Sequence, residues 1–178
     1  MNRPMNKTVF NIAVTAMLIA LGVVLPIAFH SVPGGGGIFL PMHIPVLLCG
    51  LICGFPYGLL SGVLTPLVSS MLTGMPPAAY LPGMLCELAV YGLVSALLIR
   101  TVRTKSFYAN IYISLIGAML AGRVVYGILN SLIFSAGKYS LQMWLTSAFV
   151  TALPGILAQL ILIPLIMIAL RKAKLLRN

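Results

Sequence analysis

Glu87 is the one acidic residue among 178, and it lies inside an apolar stretch, as does Arg123, one of eleven Lys and Arg residues. The other cations fall in short connectors or near the two ends of the sequence. A chain that is 61% hydrophobic, with its charges confined to the gaps between apolar runs, folds as a polytopic membrane protein and not as a soluble domain. An ionisable side chain left in hydrocarbon costs about 2.5–3.5 kcal/mol at a helix centre on insertion scales, so by default it marks function. Glu87 and Arg123 are the first candidates for chemistry.

The formal net charge of +10 would point to nucleic acid in a soluble protein. Here the cations flank apolar spans, and the positive-inside rule together with anionic lipid headgroups accounts for them. The run Gly34-Gly35-Gly36-Gly37 is not followed by Lys-Ser/Thr, so it is no phosphate-binding loop, and the chain has no means of hydrolysing ATP. Cys49 and Cys53 share a helical face, but two thiols without a nearby histidine or carboxylate make a poor metal site; they read as small hydrophobes. Neither a metal nor a cofactor is expected. The basic N-terminus leads into an apolar run too long for a signal-peptide core, which reads as a retained first helix.

Six apolar runs follow one another: about Thr8 to Phe29, Pro41 to Gly54, Gly58 to Thr73, Ala78 to Ile99, Phe107 to Phe134 and Leu141 to Leu170. The expected fold is an all-α membrane protein, a six-transmembrane-helix bundle forming one substrate-binding domain over residues 1–178. With six spans, nine cations lie on one side and Lys138 alone lies opposite, which places both termini in the cytoplasm. The external connectors are then Ser31–Leu40, Gly74–Pro77 and Ser135–Ser140, almost uncharged and rich in glycine and proline. Irregular backbone near membrane depth is tolerated where it lines a cavity. The expectation is an external pocket under a long glycine-rich first loop.

Helical spacing gathers the polar residues of the spans into stripes. Tyr80, Met84, Glu87 and Tyr91 share one face of the fourth span, and Arg123, Tyr126 and Asn130 share one face of the fifth. The sixth carries Trp144, Ser147 and Thr151 near its external end, with Gln159 deeper. Counted from the external ends, Glu87 and Arg123 lie roughly 13 and 16 Å deep on antiparallel neighbours. The spacing therefore brings opposite charges to one level. Arg123 is suited to grip a ligand carboxylate with its planar fork, and Glu87 to orient it or to accept from ligand donors. A structural pair that merely neutralises both charges is the plain alternative. His43, where the first loop meets the second span, is a further candidate contact, whereas His30 reads as interfacial.

Two patterns concern packing. Gly50, Gly54, Gly58 and Gly62 recur every four residues and permit close backbone approach. Ala13, Ala16 and Ala20 form a smooth stripe on the first span, free to meet another helix of the chain or of a partner. Ser61, Thr65 and Ser69 read as packing elements bonding their own backbone.

With these residues in view, the chain resembles the substrate-binding S components of energy-coupling-factor (ECF) vitamin transporters over nearly its whole length. The element Ala16-x-x-x-Ala20 looks like the family's docking motif for its transmembrane coupling protein. The segments Phe39-Leu40-Pro41-Met42-His43-Ile44-Pro45-Val46, Thr65-Pro66…Thr73-Gly74-Met75-Pro76-Pro77, Glu87-Leu88…Tyr91-Gly92 and Gly122-Arg123-Val124-Val125-Tyr126-Gly127 resemble those of one subgroup, the pantothenate type. The resemblance implies a bacterial-type plasma-membrane protein that binds a vitamin or precursor outside and topples to release it inside. It also implies partners: the coupling protein and two ATPase subunits. An intramembrane protease lacks its nucleophile–base pair or metal ligands here. A stand-alone secondary carrier of a small organic anion would rest on Glu87 alone.

Overall fold

The computed structural model describes residues 6–29, 32–134 and 139–176, so His30 and Lys138 lie outside the described residues. The order is α1 (Lys7–Ala28), α2 (Gly35–Phe39), α3 (His43–Cys53), α4 (Tyr57–Thr73), α5 (Leu81–Thr101), α6 (Phe107–Leu129), a π-helical segment (Asn130–Phe134), α7 (Leu141–Leu145), a second π-helical segment (Thr146–Thr151) and α8 (Leu153–Lys172). No strand occurs among the described residues. Five stretches are long and apolar enough to cross a membrane: α1, α2 with α3, α5, α6 with the π segment after it, and α8. The apolar α4, at 17 residues, falls just short of them.

The centre of the molecule is α3, apolar on every side because every side is covered. Val46, Leu47 and Cys49 are fully buried, and α1, α4, α5, α6 and α8 all pack around it. The outside is inverted relative to a soluble protein: Val9, Ile12 and Met17 of α1, Leu120 and Ile128 of α6, and Leu157, Ile161 and Leu165 of α8 are exposed. Such an apolar perimeter is what lipid tails solvate, and it leaves close packing, not water exclusion, to hold the helices together.

Glycine supplies that packing. A Cβ on Gly58 would strike the Gly92 carbonyl and the Gly50 backbone, one on Gly62 the Leu88 carbonyl, and one on Gly50 the Gly92 carbonyl and Ser95. The four-residue glycine spacing therefore serves α3, α4 and α5, with Gly92 as its partner on α5. Gly54 differs, since its φ of 74° ends α3 in the left-handed region. The Arg100 guanidinium fills the place of its missing side chain and donates to the Cys53 carbonyl at 3.4 Å. Ser61 bonds the Gly58 carbonyl of its own helix at 3.1 Å, as expected of a packing serine. Cys49 lies 3.5 Å from the Thr15 hydroxyl, and Cys53 donates to the Asn11 carbonyl at 3.8 Å, so the thiols fasten α3 to α1.

Two expectations about the connectors need correction. The glycine run forms a helical turn, α2, and not an irregular loop. Gly34 at φ 73° and Leu40 at φ 50° bound it, and Gly155 of α8 receives the Ile38 and Phe39 backbone where any side chain would clash. The last apolar run is broken, not continuous. Pro154 has no N–H to donate, and the chain reaches α8 through the π segment Thr146–Thr151. Its i→i+5 ladder turns successive residues differently from an α-helix. The stripe expected of Trp144, Ser147 and Thr151 is therefore dispersed: Trp144 faces inward while Ser147 and Thr151 are exposed.

Candidate functional site

Three helices converge on one buried carboxylate. Glu87 of α5 is 3% exposed, Arg123 of α6 is 7% exposed and His43, the first residue of α3, is 1% exposed. Arg123 Nη1 stands 3.1 Å from Glu87 Oε1, and His43 Nε2 stands 3.8 Å from Glu87 Oε2. One turn below Glu87, the fully buried Tyr91 meets the His43 ring edge-on, with centroids 5.2 Å apart at 71°.

Local sequence explains why these side chains meet. A Cβ on Gly122 would strike the Tyr91 ring and the Glu87 carbonyl, so this glycine admits α5 closely and lets the next residue, Arg123, reach Glu87. Leu40 through His43 are all buried, so the first loop delivers His43 from a fixed turn. On the far side of α6, Trp144 lies on the bare backbone of Gly127 and donates its indole N–H to the Arg123 carbonyl at 3.0 Å. Trp144 thus acts on Arg123 through the main chain.

The cluster is under-paired. His43 Nδ1 and Nε2, Glu87 Oε1, the Tyr91 hydroxyl, and Arg123 Nε and Nη2 all lack a hydrogen-bond partner among the described residues. Glu87 Oε1 is close enough to Arg123 for an ion pair, but the angles do not make a hydrogen bond. A buried polar atom left unpaired costs about 1–3 kcal/mol. Five such atoms around one ion-paired carboxylate, in a chain with no other acid, form a set of donors and acceptors suited to a polar ligand. A pair whose only task was neutralisation would use the fork of Arg123 fully.

The other expected contacts lie at graded distances from this centre. Tyr126, half-buried, and Asn130, buried, continue the Arg123 face and press on Gly83 of α5; Asn130 donates to the Tyr126 carbonyl at 2.9 Å. Met84 is half-buried against the core, one turn before Glu87. Tyr80 caps α5 and is 63% exposed, and Thr151 is exposed in the π segment, so the structure brings neither to the cluster. Tyr91 was legible as part of the α5 stripe, while its partner Gly122 carries no signal in a chain with seventeen glycines. Gln159 of α8 is 0% exposed, and neither of its amide atoms has a partner among the described residues. Ala13, Ala16 and Ala20 are all exposed on α1, away from the cluster.

A cavity of about 340 Å³ lies elsewhere, lined by Gly127, Ser131, Tyr139 and Trp144 and by the exposed Val124, Ile128 and Leu132. Neither Glu87 nor Arg123 lines it. Its apolar outer wall belongs to the perimeter, so the candidate site is the under-paired cluster and not this groove. Among the described residues no three His, Cys, Asp or Glu side chains are grouped as metal ligands.

The family model described as "ECF transporter, substrate-specific component" matches residues 10–167. No curated protein and no solved structure matches the chain.

Proposed function

The chain belongs to the substrate-specific component family of ECF transporters, a membrane-embedded substrate-binding subunit and not an enzyme, and from that premise we propose that it captures pantothenate for uptake. The observation that carries the reading is the His43–Glu87–Arg123 cluster, whose unpaired donors suit a small molecule with one carboxylate and several hydroxyl or amide groups. Arg123 takes the carboxylate with its free Nε and Nη2. Glu87 and His43 take hydroxyl or amide groups, and Tyr126 and Asn130 extend the contact toward the external end. The resemblance of several segments to the pantothenate-type subgroup favours this vitamin over others.

In this reading the chain crosses a bacterial cell membrane six times with both termini inside, and Arg100, Arg103, Lys105, Arg171, Lys172 and Lys174 face the cytoplasm. It cannot power transport, so the ligand passes inward with a coupling protein and two ATPase subunits. The exposed stripe Ala13, Ala16 and Ala20 supports a docking role, because small side chains allow another helix to approach the α1 backbone. Tryptophan at position 16 is expected to abolish vitamin uptake in cells while leaving binding by the purified subunit unchanged.

Native mass spectrometry of protein purified from cells should reveal a bound pantothenate. Reconstituted alone into vesicles, the chain is expected to bind pantothenate without accumulating it. Accumulation driven by an ion gradient would instead favour a stand-alone carrier of small organic anions.

A further inference from the structure

Gln159 stands out among the residues that the carboxylate cluster does not use. It is 0% exposed on α8, and its Nε2 and Oε1 both lack partners among the described residues. The α8 residues around it that pack on the core, Ile156, Leu160 and Ile163, are apolar, so nothing in the packing calls for an amide there. An unpaired primary amide in such a place is a standing cost unless a ligand meets it.

Helix packing and register place it at the level of the cluster. Gly155, one turn before Gln159, abuts the backbone of Ile38 and Phe39, and α3, which His43 begins, packs against α8. At the other end, the Arg171 guanidinium lies over the Phe107 ring, 4.2 Å from its centroid, which ties α8 to α6. At about 1.5 Å per residue, Gln159 is roughly 18 Å and Arg123 roughly 24 Å from that tie. The difference is about one helical turn, the same offset that separates Tyr91 from Glu87. Gln159 therefore lies one turn inward of Arg123, at the level of Tyr91, whose ring meets that of His43.

We propose that Gln159 is a specificity-determining residue of this site and recognises a hydroxyl group adjacent to a carbonyl at the ligand end remote from its carboxylate. A primary amide presents an acceptor and a donor side by side on one edge. Its complement is a donor and an acceptor side by side: an α-hydroxy carbonyl pairs with both, the ligand carbonyl accepting from Nε2 and the ligand hydroxyl donating to Oε1. A trans secondary amide holds its N–H and C=O on opposite edges and engages only one. A carboxylate offers acceptors alone and is better served by Arg123. The inference rests on the pantothenate reading, whose pantoyl half carries a hydroxyl next to its amide carbonyl.

The test is isothermal titration of the full chain in detergent with pantothenate and with its analogue lacking that hydroxyl. A site built to bond a hydroxyl discriminates strongly against the analogue without it, so the unaltered protein is expected to prefer pantothenate at least about tenfold. Gln159→Met, similar in volume and unable to bond, is expected to bind both ligands within about twofold of each other. It should still prefer pantothenate to its carboxyl-amidated form. If Gln159→Met does not fold, Gln159→Asn, which keeps the amide but withdraws it by one methylene, is expected to show the same loss of preference. Discrimination that survives in the variant, or that is missing from the unaltered protein while pantothenate binds, would overturn the role of Gln159 alone. Failure of the unaltered protein to bind pantothenate would overturn both this role and the pantothenate reading.

Discussion

A single carboxylate in an apolar chain concentrates the chemistry of the whole molecule. Glu87 is held from two sides, by Arg123 at 3.1 Å and His43 at 3.8 Å, so removing its charge leaves Arg123 buried without a counter-ion. Breaking a buried pair from one side costs about 3–5 kcal/mol, whereas replacing both partners is often neutral. Glu87→Gln is therefore expected to lower the melting temperature in detergent sharply. The double variant Glu87→Gln with Arg123→Met is expected to recover most of the loss but not ligand binding. A double variant that bound ligand normally would show the pair to be structural. The depth argument brought Glu87 and Arg123 together from sequence because antiparallel neighbours share a register. The stripes also named Tyr80 and Thr151, which the structure leaves exposed, because helical spacing says nothing of where a cap begins or where an α ladder widens to π.

At the level of elements, backbone contact between helices decides both stability and site geometry. Gly58 and Gly92 meet with no side chain between them, which sets the spacing of α4 and α5. Gly92→Ala is expected to cost about 1–3 kcal/mol by overpacking, read as a lower melting temperature with ligand preference unchanged. Gly122→Ala should behave differently. Its Cβ would strike the Tyr91 ring and shift the Arg123 backbone, so affinity should fall at least as much as stability. Affinity equal to the unaltered protein would separate α5–α6 spacing from the site. The helices themselves were legible as apolar runs between Gly/Pro breaks, and the recurrent glycines as a packing device. Their partners were not, since a glycine announces room for a neighbour and does not name it. The turn of α2 was hidden for a related reason: glycines have weak helical preference, and the turn is held by tertiary contacts, Ile38 and Phe39 on Gly155 and the Phe39 ring 4.9 Å from that of Phe29.

For the molecule as a whole, an apolar perimeter around a buried polar centre is the architecture of a substrate-binding subunit embedded in lipid, in keeping with the family match. The proposed six-span topology rests on the charge bias and is open to direct test. A cysteine introduced at position 138, in protein whose own cysteines are replaced by Ala, is expected to react with a membrane-impermeant maleimide in intact cells. A cysteine at position 103 is expected to react only after lysis. Reaction at position 103 in intact cells would reverse the orientation.

The most direct measurement is the affinity of purified protein for pantothenate and for its carboxyl-amidated analogue, with and without Arg123→Gln. Charge-assisted hydrogen bonds contribute about 1.5–3 kcal/mol. The unaltered protein is therefore expected to favour the free carboxylate at least about tenfold, and folded Arg123→Gln to lose that preference along with most of its affinity. Undiminished binding of pantothenate by folded Arg123→Gln would contradict a ligand site centred on this cluster.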